Sequence, residues 1–109
     1  MRKLIGLVAA LAVAAALAVP ALAASTKTAS VADFSIRPNM TITHGTKVVW
    51  RWKGGSGIQH TVTVKSGPVK FGSRLMSSGS YSHIFTKKGT YRLYCKVHPN
   101  TMKETIVVK

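Results

Sequence analysis

Acidic residues are scarce in this sequence, which has two Asp and Glu residues among 109 against 16 Lys and Arg. They are Asp33 and Glu104, so the chain has a single Asp and a single Glu. Paired carboxylates for acid–base hydrolysis and a Ser-His-Asp set are therefore lacking. The composition predicts that the protein is not a hydrolytic enzyme, and we expect it not to be an enzyme at all.

Long hydrophobic runs are also lacking, except for one at the N-terminus. Arg2 and Lys3 precede a nearly continuous run of Leu, Ala, Val and Ile over residues 4–19, and the small-residue sequence 21–23 follows Pro20. This order of charge, apolar run and small residues is typical of a secretory signal peptide. A bilayer-spanning helix needs about 20 apolar residues, so we expect no stable membrane insertion.

The expected cleavage after Ala23 divides the chain. It would leave 86 of the 109 residues, enough for one compact domain. The predicted organisation is a signal peptide over 1–23, a flexible segment over 24–30 and a single domain over 31–109. The mature protein is expected to be soluble, in the periplasm or another extracytoplasmic space.

Cysteine is represented once, by Cys95. Secreted domains that are stabilised by disulfides carry an even number of cysteines, so a disulfide framework is excluded within this chain. A lone thiol outside the cytoplasm is exposed to oxidation and unwanted pairing. It is best explained if a metal ion occupies the sulfur.

The positive charge is spread along the whole mature chain. Fourteen basic residues, from Lys27 to Lys109, remain after the signal peptide against two acids, giving a net charge of about +12. Such a charge keeps a protein soluble and favours a monomer, and it steers the protein toward acidic partners or anionic membrane. Nucleic-acid binding is not expected, because no nucleic-acid-binding signature accompanies the charge in this exported chain.

Short alternating segments separated by Gly, Pro, Ser and Asn dominate the mature chain, which has no repeat, heptad or convincing helix. The strongest is 46–52, where Val48, Trp50 and Trp52 share one face. Further strands are predicted over 61–65, 80–86, 90–95 and 105–109. This pattern predicts an all-β fold, a Greek-key β-sandwich of about seven or eight strands.

Four side chains with metal-binding atoms follow one another along the chain in an order that indicates a metal site. Cys95, His98 and Met102 lie in one short segment, and His60 stands where a glycine-rich loop, 54–57, enters a strand. Two His and one Cys with a weak Met are the ligand set of type 1 copper. We expect the loop after Cys95 to fold back and His60 to arrive from another strand, so that the four hold one copper ion.

Each of these residues has an ordinary alternative, since a lone Cys or Met is more often part of a core. Met40 and Met76 could compete with Met102 for the axial position, and Met102 is preferred because it belongs to the ligand loop. His44 and His83 have no ligand-like neighbours and are interpreted as structural or surface residues.

On these residues the chain resembles a cupredoxin, in particular the small plastocyanin and amicyanin branch. In that family a first His precedes a strand and a Cys-x-x-His loop ends in Met, positions that His60, Cys95, His98 and Met102 match. The similarity covers nearly the whole mature chain. It includes Phe34, Pro38, 45–50, 60–62, Phe71, 79–82, Phe85 and 89–91.

Three positions depart from the family pattern. Thr61 stands where many members have an Asn that braces the cysteine loop, Trp52 stands where Asn is frequent, and Glu104 stands where Gly commonly follows the Met. These residues affect the hydrogen bonds around the ligands, and through them the redox potential.

The resemblance implies a one-electron carrier between redox proteins. His98 would reach the surface within an apolar patch that includes Pro99, and the lysines would orient a partner with an acidic docking surface. A copper carrier or buffer could use the same ligands, although such proteins tend to have exposed Met and His clusters. A metal-free adhesion sandwich is the third alternative.

Overall fold

The computed structural model describes residues 25–109, so the predicted signal peptide, 1–23, lies outside the described residues. Within that part of the chain the regular structure consists of strands without a helix, which confirms the all-β prediction. No helix there is long and apolar enough to cross a membrane. The eight strands are β1 Thr26–Ala32, β2 Ser35–Arg37, β3 Met40–Ile42, β4 Thr46–Trp52, β5 Thr63–Ser66, β6 Gly79–Phe85, β7 Gly89–Tyr94 and β8 Lys103–Val108.

The strands form two four-stranded sheets, with the orders β2-β1-β4-β6 and β3-β8-β7-β5. β1 runs parallel to β4 and β3 runs parallel to β8, whereas the other neighbours are antiparallel. Because β2 and β3 are consecutive but belong to different sheets, the chain crosses between the layers. The result is the predicted β-sandwich.

Alternation of apolar and polar residues decides which face of each strand is buried. In β4, Val48, Trp50 and Trp52 point into the core while Arg51 is exposed, as the sequence predicts. Burying a large apolar side chain contributes about 1.5–3 kcal/mol, so the inward faces of the two sheets hold the sandwich together. The fully buried large side chains include Trp50, Tyr91, Phe85, Leu93, Met102 and Ile106.

The N-terminal segment differs from the expectation. Residues 24–30 are predicted to be flexible, yet β1 begins at Thr26 and pairs in parallel with β4 from Thr26↔Lys47 to Val31↔Trp52. The reason is that Ala29 and Val31 alternate inward and are 2% and 1% exposed. Small residues give a weak strand signal, but here they form a strand that lies between β2 and β4.

Strand register defines the end of the sandwich at which the predicted ligands lie. Val31 pairs with Trp52, Trp52 pairs with Gly79, and Tyr94 pairs with Lys103. The β1–β2 turn, the segment after β4 and the loop between β7 and β8 therefore leave the sheets at this end. These three segments carry the side chains described next.

Candidate metal centre

Three of the predicted ligands converge at one point. His60 Nδ1 lies 3.2 Å from His98 Nδ1, and Cys95 Sγ lies 3.6 Å from His98 Nδ1 and 4.0 Å from His60 Nδ1. A point about 2.1 Å from all three atoms exists, within the roughly 2.0–2.3 Å at which transition-metal ions bind nitrogen and sulfur. The triangle is therefore the right size for one ion.

The cysteine loop is held in shape by its own backbone. The N–H of Cys95 donates to the carbonyl of Met102 at 3.1 Å, and the N–H of Met102 donates to the carbonyl of His98 at 3.1 Å. A turn closes between them, since the N–H of His98 donates to the carbonyl of Cys95 at 3.2 Å. These backbone hydrogen bonds bring Cys95 and His98 together.

The three candidate methionines lie in different parts of the fold. Met102 is fully buried within the ligand loop. Met76 is half-buried, and its backbone pairs with that of His60 through two hydrogen bonds of 2.8 and 3.1 Å. Met40 belongs to β3 and pairs with Ile106 of β8. The proximity of Met76 to His60 is not evident from the sequence, and the axial ligand stays a prediction in favour of Met102.

Thr61 links the two ligand-bearing segments. Its hydroxyl accepts a hydrogen bond from the N–H of Lys96 at 3.0 Å, and its own N–H points at Cys95 Sγ at 3.4 Å. The hydroxyl also lies 2.9 Å from that of Thr63. Thr61 thus braces the cysteine loop, the role given to Asn in the family pattern.

Trp52 braces the backbone of His60. The indole N–H of Trp52 donates to the carbonyl of His60 at 3.2 Å, and both residues are buried. Since an unpaired buried carbonyl costs free energy, this bond fixes the segment that presents the imidazole.

Asp33, in the β1–β2 turn, contacts the second ring nitrogen of His60. Its Oδ1 lies 2.7 Å from His60 Nε2, and the two side chains are 28% and 3% exposed. The hydrogen bond from His60, supplemented by one from Ser56, lowers the pKa of Asp33 below its ordinary value. Sequence reasoning missed this residue, for which the only available signal was its being the single Asp of the chain.

An apolar surface surrounds the half-buried His98. The ring of Phe34 lies 5.0 Å from that of His98 and 6.0 Å from that of His60. Phe34 and Val97 are 48% and 50% exposed, and Pro99 is also exposed. Large exposed apolar side chains grouped in this way are typical of a contact surface.

The two remaining histidines stand apart from the triangle. His44 Nδ1 contacts the carbonyl of Lys109 at 3.1 Å near the opposite end of the sandwich. The ring of His83 stacks on Phe71 with centroids 3.7 Å apart, and burial lowers its pKa.

The donor chemistry matches the geometry. A Cys sulfur and two imidazoles, of which Cys95 and His60 are buried and His98 is half-buried, belong to the ligand set of type 1 copper, and the eight-stranded sandwich delivers them from two separate segments. Fold and site together define a cupredoxin. Residues 23–109 match the family described as copper binding proteins, plastocyanin/azurin family, and the chain belongs to that family.

Solved structures with the same fold agree. A copper-containing nitrite reductase from Thermus scotoductus SA-01 is 26% identical with a TM-score of 0.67, covering 77% of this chain and 22% of the enzyme. A Cu(I) amicyanin variant is 25% identical with a TM-score of 0.66, covering 81% of this chain and 86% of amicyanin. Another Cu(I) amicyanin variant is 24% identical with a TM-score of 0.66, covering 77% and 82%. The chain thus spans about a fifth of the nitrite reductase. No curated protein sequence matches it.

Proposed function

We propose that the protein is an exported type 1 copper protein that carries one electron at a time between redox partners. His60, Cys95, His98 and Met102 would hold the ion. The observation that carries this proposal is the triangle itself, with sides of 3.2, 3.6 and 4.0 Å. A copper ion bound there would supply a site that alternates between Cu(II) and Cu(I).

Rigidity of the ligands supports electron transfer. His60 and Cys95 are 2% and 0% exposed, and hydrogen bonds from Trp52 and Thr61 fix the segments that bear them. A site that barely moves when its charge changes needs little reorganisation, as electron transfer requires. Four protein ligands also leave no coordination position for a substrate, which favours a carrier over an enzyme.

His98 is the proposed route for the electron. Its ring is half-buried, and Phe34, Val97 and Pro99 supply exposed apolar surface around it. A partner that docks on this surface would come within a few ångströms of the imidazole. Such contacts between redox proteins are small and short-lived.

Charge would select the partner. Neither acidic side chain of residues 25–109 lies within 4.0 Å of a Lys or Arg. Asp33 contacts His60 instead, and Glu104 is buried. On the outer face of β5, β7 and β8, a cleft of about 480 Å³ beside Pro99 includes Lys65, Arg92 and Lys103. Uncompensated cations next to the ligand loop favour a partner with an acidic docking surface.

Export and a monomeric state belong to the same proposal. They are supported by the signal-like residues 1–23 and by the self-repelling charge of the mature chain. A lone cysteine is compatible with an oxidising compartment when copper holds its sulfur.

Reconstitution with Cu(II) tests the proposal. We expect an intense blue colour that bleaches with a reductant and returns with an oxidant while the metal is retained, and we expect Cys95→Ser to abolish the colour. Colourless protein with the electron paramagnetic resonance signal of loosely bound copper would contradict the site. Rapid loss of copper to a weak chelator would instead favour the copper carrier.

A further inference from the structure

The hydrogen bond between Asp33 and His60 is the shortest polar contact around the donor triangle. The atoms Oδ1 and Nε2 are 2.7 Å apart, and the Nδ1 of the same ring faces Cys95 and His98. A carboxylate accepts hydrogen bonds, so Nε2 carries the proton. In the neutral imidazole, Nδ1 then offers its lone pair toward the other two donors.

The position of Asp33 follows from the sheet. Ala32 pairs with Ser35 across the β1–β2 hairpin, and the neighbouring pair Val31↔Trp52 ties β1 to β4. The indole of Trp52 holds the carbonyl of His60. The hairpin and the His60 segment are thus linked by backbone pairing and by a buried side chain, which fixes the backbone on either side of the Asp33–His60 contact.

Among the described residues, the only ion-pair contact of Asp33 is with the His60 ring. No Lys or Arg of the described residues lies within 4.0 Å of it. Its side chain is 28% exposed, so water screens the charge only in part. A bound cation would therefore experience a partly screened negative charge on the far side of one of its ligands.

We propose that Asp33 is a positioning residue for the metal site, which holds His60 in the Nε2–H tautomer and favours Cu(II) over Cu(I) through its charge. The inference rests on the proposed function for its redox part only. The tautomer and the affinity for a redox-silent ion follow from the Asp33–His60 contact alone. Carboxylates that hydrogen-bond to ligating histidines typically change metal affinity by about 10–100-fold.

Two substitutions separate the two effects. Asp33→Asn keeps an acceptor oxygen but removes the charge, whereas Asp33→Ala removes both. The control is Thr86→Lys, which makes the same change in net charge at an exposed position after β6, where Phe85 pairs with Thr46 at the opposite end of the sandwich.

Nitrogen-15 NMR of the imidazoles in the metal-free protein tests the tautomer, and competition with a chelator measures Zn²⁺ affinity. We expect the proton of His60 on Nε2 in the wild type and in Asp33→Asn, and a mixture of tautomers in Asp33→Ala. Zn²⁺ affinity should fall about 10–100-fold in Asp33→Ala. An unchanged tautomer and unchanged affinity in Asp33→Ala would overturn the positioning role.

Voltammetry of the copper-loaded proteins tests the charge. Asp33→Asn should lower the affinity for Cu(II) relative to Cu(I) about tenfold, which raises the one-electron reduction potential by about 59 mV. Thr86→Lys should change it far less. Equal shifts in these two variants would overturn the electrostatic role. A wild type that forms no blue site would refute the proposed function, whereas the NMR and Zn²⁺ results would still decide the role of Asp33.

Discussion

Trp50 of β4 donates a hydrogen bond of 2.8 Å from its indole nitrogen to Oε1 of Glu104 in β8. The bond joins the two sheets across the core, where the two residues are 0% and 2% exposed. The second carboxyl oxygen of Glu104 is buried without a partner. Burial raises the pKa of Glu104 to about 7, although the hydrogen bond from Trp50 opposes the shift. The acid at a position where the family pattern has Gly is therefore a link between the sheets.

This carboxyl group predicts that stability falls as pH rises. Its pKa is about 7 in the folded protein, whereas the ordinary value of 4.5 applies to the unfolded chain. Between these two pH values the native protein therefore binds more protons than the unfolded chain. The stabilisation is complete below about pH 4.5 and is lost as pH rises through 7, at a total cost of about 3–3.5 kcal/mol.

Urea unfolding of the wild type and Glu104→Gln at pH 5 and pH 8 measures this loss. The difference in unfolding free energy between the two proteins should change by about 2–3 kcal/mol over this range, because the neutral amide does not titrate. A difference that is independent of pH would show that Glu104 is not protonated in the fold.

Thr61→Val tests the brace on the cysteine loop. Valine keeps the shape of the side chain but cannot accept the hydrogen bond from the N–H of Lys96, and we expect a loss of about 1–2 kcal/mol in unfolding free energy. The matched control is Thr63→Val, which removes the hydroxyl pair with Thr61 but leaves the bond to Lys96. Equal losses in the two variants would contradict the bracing role.

The axial ligand can be assigned by comparing leucine substitutions. Met102→Leu should change the visible and electron paramagnetic resonance spectra of the copper protein and raise its reduction potential, because a weak sulfur donor is lost. Met76→Leu and Met40→Leu should leave the spectra as in the wild type. A spectral change in Met76→Leu with none in Met102→Leu would transfer the axial role to the residue beside the His60 backbone.

Salt dependence tests the basic cleft. Oxidation of the reduced protein by hexacyanoferrate(III), a small anion, should slow several-fold as ionic strength rises, because screening weakens the attraction. Lys103→Glu should lower the rate at low salt and flatten the dependence. Lys47→Glu, at the start of β4 in the other sheet, makes the same charge change and should have the smaller effect. Equal effects would assign the steering to net charge alone.

The sequence by itself determined the class of fold and the order of the donor atoms. The period-two alternation of apolar and polar residues in 46–52 indicates which face of the strand is buried, because successive side chains point to opposite faces. Cys95 and His98 are three residues apart, so the turn between them brings both donors to one place. Patterns of this kind are local and can be read without knowing the tertiary structure.

The tertiary structure alone decided what supports the donors. Asp33 meets His60 across 27 residues, Thr61 meets Lys96 across 35, and Trp50 meets Glu104 across 54. No local period marks such pairs, because each depends on how the sheets and their connecting segments pack together. The same packing turned residues 26–30 into a strand, since β4 supplied backbone partners that composition does not reveal.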